Sequence, residues 1–519
     1  MASVRILGLA LVVALTVAIG WTVPLAAPSA GESAAVSVPR LSYTTRQLKN
    51  GLKIYLLQDR STPNVTVQMW YQVGSKHDPE GRSGFAHLFE HILSRKTRNM
   101  PLNMVNQLTE DVGGVRNAST GDDRTNYFEI VPAAYLETML WTHAERMARP
   151  VVDSAVFETE RGVVKEELRQ RYLAPPYGRF FGFMMPEQCY DTLPNRRPGI
   201  GNIDELNSAT LDDARSFHEA FYGPDTASLV VSGNFDQARV DQLIDKYFAP
   251  IPKRKYPASL AIDATQAPRQ GARAVTMYAP NVPLPAVMIS YPQPASTDPD
   301  IPVLMVIDGI MSTGENSRLY KSLVYDQQIA LSVNASYRAG KEPGLFEFYV
   351  EMKPGKSVAE GEKALYAELE KLATDGPTER ELQKARNQAE SGFIGALKTN
   401  NGAGQTLGFY GVTPGPYLVL PLLPPLSLRD GFGYVADIFL DPINWLVLPL
   451  IEVRGVPSVI AHKNRTTTSM VQLGRRVEEV TNDRSLNLEK FQGVEEATLD
   501  LYTAVRNAYL QKRAKAIRE

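Results

Sequence analysis

The chain is poor in the residues that build cysteine-based structure. Its 519 residues include one cysteine, Cys189, which excludes an intrachain disulfide and a cysteine-based zinc site. There are only six histidines, so a cluster among them would be informative. The formal net charge of −2 provides no global basic field for nucleic acid. Any metal site must therefore take its ligands from histidine, aspartate and glutamate.

The rest of the composition is that of an average soluble globular protein. Apolar residues make up 44% of the chain and charged residues 22%. These values argue against a disordered chain, a fibrous chain and a polytopic membrane protein. At roughly 150 residues per domain, the length predicts two to four domains.

The N-terminal residues 1–30 are typical of an export signal. Arg5 precedes an apolar run over residues 6–27, and small residues follow as far as Ala30. The run is longer than the usual core of a signal peptide, and about 20 apolar residues span a bilayer. A retained single-span anchor therefore stays open beside a cleaved signal peptide. Both interpretations predict an exported protein whose body lies outside the cytoplasm.

The pattern of residues 40–250 predicts one α+β domain. Asn50-Gly51 lies between two alternating segments, which is a strong hairpin signal. An apolar helix begins near Gly84. The other predicted elements are strands at 65–73, 126–131 and 227–232 and helices at 133–148 and 153–173.

A second domain with a similar order of elements is predicted at 273–472. Residues 251–272 contain several prolines and no apolar period, which predicts an interdomain linker. The predicted elements after it are strands at 286–291, 331–337 and 345–352 and helices at 301–311, 357–374 and 378–398. We therefore expect two homologous α+β domains, each a mostly antiparallel β-sheet flanked by α-helices.

The segment 412–460 departs from this pattern. Its prolines forbid a regular helix, and it is too broken to span a membrane. Local divergence and a reading-frame artefact both stay open as explanations. After it, residues 463–472 are predicted as a strand and residues 473–519 as a charged helical tail.

The motif His87-Leu-Phe-Glu90-His91 carries the chemistry. Two histidines four apart on a helix project from one face, where both rings can bind one metal ion. Glu90 is placed to accept a proton from metal-bound water. This order of residues is that of the inverzincins. In the predicted second domain the corresponding helix has Asp308 in place of Glu90 and lacks the histidines.

A helix over residues 158–169 offers acidic candidates for a third ligand. Glu160 and Glu167 are two turns apart and share a face, whereas Glu166 points about 100° away from Glu167. Such a run of charges is usually a solvated helix face. The sequence pattern alone does not choose among these residues.

From Tyr43 to about Pro257 the chain resembles the pitrilysin/insulinase family of zinc metallopeptidases, in its bacterial branch similar to the mitochondrial processing peptidase. The matching features are the Asn50-Gly51 hairpin, Val73-Gly74-Ser75, His87, Glu90, His91, Gly113-Gly114, Asn117-Ala118, Thr125, Tyr127 and the helix from Glu160 to Glu167. Residues 273–400 are similar to the family's inactive second domain. Paired domains of this family face each other and enclose a chamber.

The resemblance implies one Zn²⁺ per chain, with His87, His91 and Glu167 as metal ligands. It implies catalytic roles for Glu90 and Glu160. It also places Asn117 and Ala118 on an edge strand that pairs with an extended peptide substrate. The expected activity is that of a metalloendopeptidase acting on peptides or unfolded segments in the periplasm, free or anchored to the inner membrane by residues 6–27.

The chain lacks one feature of many family members, an Arg and a Tyr seven apart that help to hold the substrate. The matching positions carry Tyr325 and Ser332. Bacterial relatives often work as two chains, so we expect a second peptidase-like subunit that carries this pair. No nucleic acid is expected as a partner. The alternative function is that of a non-catalytic scaffold or binding subunit of such a heterodimer.

Overall fold

The computed structural model describes residues 41–192, 194–264, 270–273, 275–279, 281–298, 300–337, 340–412, 446–449 and 454–457. The predicted signal or anchor, the predicted strand at 463–472 and the predicted tail lie outside the described residues. Within the part of the chain that is described, no helix is both long enough and apolar enough to cross a membrane.

The first half of the chain is built on a six-stranded sheet with the order β1-β2-β6-β3-β5-β4. Its strands are β1 (Thr44–Gln47), β2 (Lys53–Gln58), β3 (Asn64–Tyr71), β4 (Val115–Thr120), β5 (Thr125–Pro132) and β6 (Ala227–Gly233). The pairing of β2 with β6 is parallel, and the other described pairings in this sheet are antiparallel. The predicted hairpin forms, with Gly51 at φ 98° in the turn where glycine is favoured.

Most α-helices of the first half lie on the inner face of this sheet, whereas the one that contains Met185 packs against Ala286, Met288 and Leu345 of the second half. The helices of the first half are α1 (Phe85–Ile92), α2 (Met104–Glu110), α3 (Leu136–Ala148), α4 (Ser154–Leu168), α5 (Met185–Cys189), α6 (Ile203–Ser208), α7 (Leu211–Phe221) and α8 (Gln237–Phe248). The apolar residues of α1 are fully buried, and the Phe89 ring lies 5.7 Å from the Phe217 ring. The helix predicted at 153–173 ends earlier, and a π-helical turn continues it over Arg169–Leu173.

The second half repeats the plan of the first. Its sheet has the order β12-β7-β11-β8-β10-β9. Its strands are β7 (Gln270–Arg273), β8 (Ala286–Gln293), β9 (Ala330–Tyr337), β10 (Gly344–Met352), β11 (Leu446–Pro449) and β12 (Arg454–Pro457). The antiparallel set β8-β10-β9 corresponds to β3-β5-β4, and β7 pairs in parallel with β11 as β2 does with β6. The predicted fold class is confirmed.

One boundary of the prediction needs correction. The predicted linker, 251–272, extends into β7, because that strand begins at Gln270 and pairs with β11 and β12. Its backbone hydrogen bonds therefore lie within the second sheet. Residues 251–264 form neither helix nor strand.

The helices of the second half are α9 (Ile301–Met311), α10 (Val358–Asp375), α11 (Glu379–Ala396) and α12 (Asn400–Val412). Helix α12 returns to the first sheet and covers the outer face of β3 and β6. Gln68 Nε2 donates to Asn401 O at 3.1 Å, and Ser232 Oγ donates to Asn400 O at 2.7 Å. A Cβ added at Gly408 would lie 2.1 Å from Trp70 Nε1, so the close approach requires glycine.

A buried ion cluster also joins the two halves, apart from the contacts of α12. Lys76 Nζ lies 2.5 Å from Asp123 Oδ1 and 2.6 Å from Glu342 Oε2. The Lys341 N–H donates to Asp123 Oδ2 at 2.9 Å. The Lys76 side chain is 4% exposed and that of Asp123 9% exposed. This Lys76 cluster therefore ties the β4–β5 turn to the segment before β10.

Candidate metal and catalytic site

The candidate site lies between α1 and α4. The apolar residues of α1 face the core, which turns the side chains of His87 and His91 toward α4. Glu160 and Glu167 lie two turns apart on α4 and meet them from the other side. The helical spacing of both motifs thus brings four polar side chains together between two packed helices.

The N-terminus of α1 is held in place by Asp78. Its carboxylate accepts hydrogen bonds from the Gly84 N–H at 2.6 Å and from the Ala86 N–H at 2.8 Å. Gly84 has φ 90°, and a Cβ there would lie 2.7 Å from Ile200 O. The start of the helix is therefore fixed by a buried carboxylate and by a glycine that no other residue replaces without strain. Sequence reasoning missed Asp78, which lies six residues before Gly84.

His87, His91 and Glu167 form a group able to hold a metal ion. Each offers one donor atom, and these atoms lie within 4.8 Å of one another. Glu167 Oε2 is 3.7 Å from His87 Nε2 and 3.4 Å from His91 Nε2. A tetrahedral zinc site with bonds of about 2.0–2.1 Å separates neighbouring donors by about 3.4 Å, so the three side chains fit the ion. The other Glu167 oxygen, Oε1, contacts Arg171 Nη1 at 2.7 Å.

Burial, with smaller contributions from the neighbouring His91 and Arg171, lowers the pKa of His87 to about 3. The ring is therefore neutral at physiological pH, and this is the form that binds a metal. His87 Nδ1 is buried and has no hydrogen-bond partner among the described residues.

Glu160 does not join the three ligands but supports one of them. Its Oε2 lies 3.4 Å from His91 Nδ1, on the side of the ring opposite Glu167. Its Oε1 pairs with Arg95 Nε at 2.7 Å. Burial raises the pKa of Glu160, but the contacts with His91 and Arg95 outweigh it and hold that pKa below its ordinary value. A carboxylate in this position fixes the orientation and tautomer of a metal-binding histidine.

Glu90 lies on α1, the helix of His87 and His91, beside the three candidate ligands. Its Oε2 accepts a hydrogen bond of 2.6 Å from Thr120 Oγ1, at the end of β4. Burial raises the pKa of Glu90, and the hydrogen bond from Thr120 acts in the opposite direction. The position and the raised pKa suit a group that takes up a proton and returns it. Thr120 and Arg95 had no signal in the sequence, because each acts through a contact with a distant element.

Asn117 and Ala118 lie on β4, the last strand in the order of the first sheet. The outer backbone edge of β4 has no strand beside it among the described residues. Asn117 is exposed, and its side chain accepts a hydrogen bond from the Ala118 N–H at 2.9 Å. Ala118 packs against the core of the first half. An edge of this kind can accept an extended peptide as a further strand.

Tyr325 and Ser332, the positions expected to match the Arg and Tyr pair, lie in the second half. Tyr325 is in a π-helical segment, Tyr320–Asp326, and its ring is exposed. Ser332 lies on β9 and donates to Glu351 at 3.3 Å. Neither side chain provides a positive charge for a substrate.

Comparison with protein families gives three matches along the chain. The model described as "Insulinase (Peptidase family M16)" matches residues 53–175. The model described as "Peptidase M16 inactive domain" matches residues 208–389. The model described as "MlaA lipoprotein" matches residues 386–516. The last match covers the proline-rich segment 412–460, whose sequence had no counterpart in the peptidase pattern.

Curated relatives extend over most of the chain. Zinc protease PqqE of Helicobacter pylori is 29% identical over 68% of this chain and 80% of its own length. An uncharacterised zinc protease of Mycobacterium leprae is 26% identical over 80% of this chain and 90% of its own length. A probable mitochondrial-processing peptidase subunit beta of Arabidopsis thaliana is 23% identical over 69% of this chain and 68% of its own length.

Solved structures with the same fold cover 79% of the chain. A protease from Helicobacter pylori has a TM-score of 0.74 at 26% identity and is covered over 99% of its length. A peptidase M16 inactive domain from Pseudomonas fluorescens has a TM-score of 0.68 at 16% identity, with 97% of it covered. The periplasmic protease PqqL from Escherichia coli has a TM-score of 0.60 at 19% identity, and this chain matches 46% of it.

Proposed function

This chain belongs to the pitrilysin/insulinase family of peptidases, and from that premise we propose that it is a zinc-dependent metalloendopeptidase. One observation carries the proposal. His87, His91 and Glu167 place three donor atoms within 4.8 Å of one another, and Glu90 lies on α1 together with the two histidines. Several relatives are named zinc proteases, which supports zinc as the metal.

The mechanism assigns a separate task to each residue. When bound, zinc lowers the pKa of a water molecule and polarises the scissile carbonyl. Glu90 accepts a proton from the attacking water and returns it to the leaving amine. Thr120 keeps the Glu90 carboxylate in place through its hydrogen bond. Glu160 acts on the reaction through His91, so it is a positioning residue and not one that touches the substrate.

The edge of β4 holds the substrate. A peptide that adds to this edge forms hydrogen bonds with backbone groups, which accept many sequences. Asn117 and Ala118 lie on this strand next to Thr120, so the bound peptide passes close to Glu90. This arrangement favours extended peptides and unfolded segments over folded proteins.

The proposed location is the cell envelope, and within it the periplasm. Three observations support it: the apolar run at residues 6–27, the match to an MlaA lipoprotein model and the periplasmic description of PqqL. Cell fractionation with an antibody against the chain tests this location.

Replacing Glu167 with Gln is expected to lower zinc affinity by more than about 10–100-fold. That range is typical of losing a residue that only hydrogen-bonds to a metal ligand. The larger loss is expected because a neutral amide oxygen is a poor zinc ligand. Zinc content after dialysis against buffered metal measures the effect. Glu166→Gln is the matched control, because that neighbouring side chain is 56% exposed and pairs with Arg169 at 3.3 Å. Its zinc content is expected to match the unaltered chain.

Two outcomes would contradict the proposal. If the folded chain binds no zinc, the metal site is wrong and a non-catalytic scaffold becomes the better function. If both variants keep their zinc equally well, the ion lies elsewhere. The zinc content of the unaltered chain and its cleavage of a quenched fluorescent peptide therefore come first.

We further propose that the chain works with a second peptidase-like subunit. Tyr325 and Ser332 supply no positive charge for the substrate, so another chain would have to provide the Arg and Tyr pair. Adding the partner is then expected to raise kcat/KM for peptides by at least about tenfold, the gain typical of one charged hydrogen bond. Full activity of the purified chain alone, with no gain from a co-expressed partner, would rule this out.

A further inference from the structure

A small cavity opens beside the candidate base. It has a volume of about 230 Å³ and is lined by Glu90, His91, Arg95, Asn106, Arg116 and Asn117, among others. Glu90 and His91 belong to the candidate site, so whatever fills this cavity lies next to the reacting atoms. Arg95 and Arg116 bring two guanidinium groups to the lining of the cavity.

Arg116 lies on β4, the strand proposed to bind the substrate. Side chains alternate along a strand, so Arg116 shares a face with Ala118 and Thr120. Thr120 on that face binds Glu90. At about 3.3 Å per residue, Arg116 lies about 7 Å along the strand from Ala118. A peptide paired with β4 would therefore place a side chain in the cavity within one or two residues of the scissile bond.

The Arg116 guanidinium has no carboxylate partner among the described residues. Its Nη1 donates to Asn106 Oδ1 at 2.6 Å, and its Nε is buried without a hydrogen-bond partner. Glu129 stands opposite it in the strand register. The Glu129 carboxylate is occupied by Arg146 at 2.9 Å and His143 at 2.6 Å.

Arg95 adds a second guanidinium to the lining of the cavity. Its Nε pairs with Glu160, and its Nη1 donates to the neutral Asn103 side chain at 3.1 Å. Burial lowers the pKa of Arg116, as does the charge of Arg146, while the negative charges of Glu129 and Glu110 oppose the shift without cancelling it. Because Arg116 lines the cavity, a carboxylate bound there would form charge-assisted hydrogen bonds with its guanidinium.

We infer that this cavity is a carboxylate subsite and that Arg116 is a specificity-determining residue for peptides with an acidic group next to the scissile bond. The inference rests on the proposed peptidase function and names its substrate class. The carboxylate can come from an Asp or Glu side chain or from the C-terminus of the peptide, since both present the same group.

A set of peptides tests the inference. Glu, Gln or Lys is placed in turn at each of the two positions before and the two positions after the scissile bond. At one position the unaltered chain is expected to prefer Glu over Gln by about 10–100-fold in kcat/KM. Arg116→Gln is expected to bring this ratio close to one. Arg116→Glu is expected to reverse it and favour Lys, a gain that a misfolded protein cannot show. Arg98→Glu makes the same change in charge at an exposed position nearby and should keep the ratio.

Binding separates this inference from the proposed function. The same peptides are labelled with a fluorophore and titrated with the Glu90→Gln protein. The fluorescence anisotropy of the labelled peptide gives Kd without cleavage. A Glu preference that depends on Arg116 supports the subsite even if no peptide is cleaved. Cleavage or binding of all peptides without an acidic preference would overturn the inference and leave the peptidase proposal intact. Paired peptides with free and amidated C-termini show which carboxylate the subsite binds.

Discussion

Glu90→Gln is expected to lower kcat for peptide cleavage by about 10²–10⁴-fold without loss of zinc. The amide has nearly the same shape as the carboxylate and can still accept the hydrogen bond from Thr120, but it cannot take up a proton. His87, His91 and Glu167 are unchanged, so the metal site is expected to stay complete. Cleavage of a quenched fluorescent peptide, together with zinc content, measures both parts of this expectation.

The control for this variant is Glu166→Gln, which removes the same charge from an exposed side chain on α4. It is expected to retain the kcat of the unaltered chain. Cleavage by Glu90→Gln at an undiminished rate would mean that another group accepts the proton. Loss of zinc from Glu90→Gln would mean that Glu90 contributes to holding the ion.

Lys76→Met is expected to lower the free energy of unfolding by about 3–5 kcal/mol. The substitution keeps the length of the side chain and removes the charge, which leaves Asp123 buried without its ion-pair partner. In the unaltered chain burial opposes ionisation of Asp123, but Lys76 outweighs it and holds the pKa of that carboxyl below its ordinary value. Urea unfolding at neutral pH, followed by circular dichroism, measures the change.

Two further variants identify the cause of this loss. Adding Asp123→Asn to Lys76→Met removes the orphaned charge and is expected to restore part of the stability. Lys246→Met breaks the exposed pair of Lys246 with Glu137 at 3.0 Å, and it is expected to cost far less stability than Lys76→Met, because water screens an exposed pair. A similar small cost for Lys76→Met would show that water reaches the cluster.

The sequence predicts those parts of the molecule that depend on short spacings. Glycine at position 51 permits the hairpin, and β-branched and aromatic residues mark β3. The four-residue spacing of His87 and His91 fixes their common face, because the period of a helix is a local property. Recognition of the family came from the same short motifs, and the family and structural comparisons confirm it.

These local patterns do not predict contacts between elements that are distant in the sequence. Arg95 supports Glu160 across 65 positions of the chain, and nothing near Arg95 in the sequence marks it for that contact. The sequence does not show that Arg116 lacks a carboxylate partner. This becomes clear only from the structure, in which Glu129 pairs with His143 and Arg146. Similarly, Gly408 weakens the helix α12 by itself, and the reason for glycine at this position appears only from the close approach of Trp70.

The position of α12 has a consequence for the synthesis of this protein. All strands of the first sheet have been synthesised once Gly233 is added, but its outer face stays open until Val412 follows. The hydrogen bond from Gln68 to Asn401 spans 333 positions. During that interval Trp70 and Val230, both buried in the finished protein, face solvent. The nascent first half is thus an aggregation-prone intermediate, and holdase chaperones would protect it until its last helix arrives.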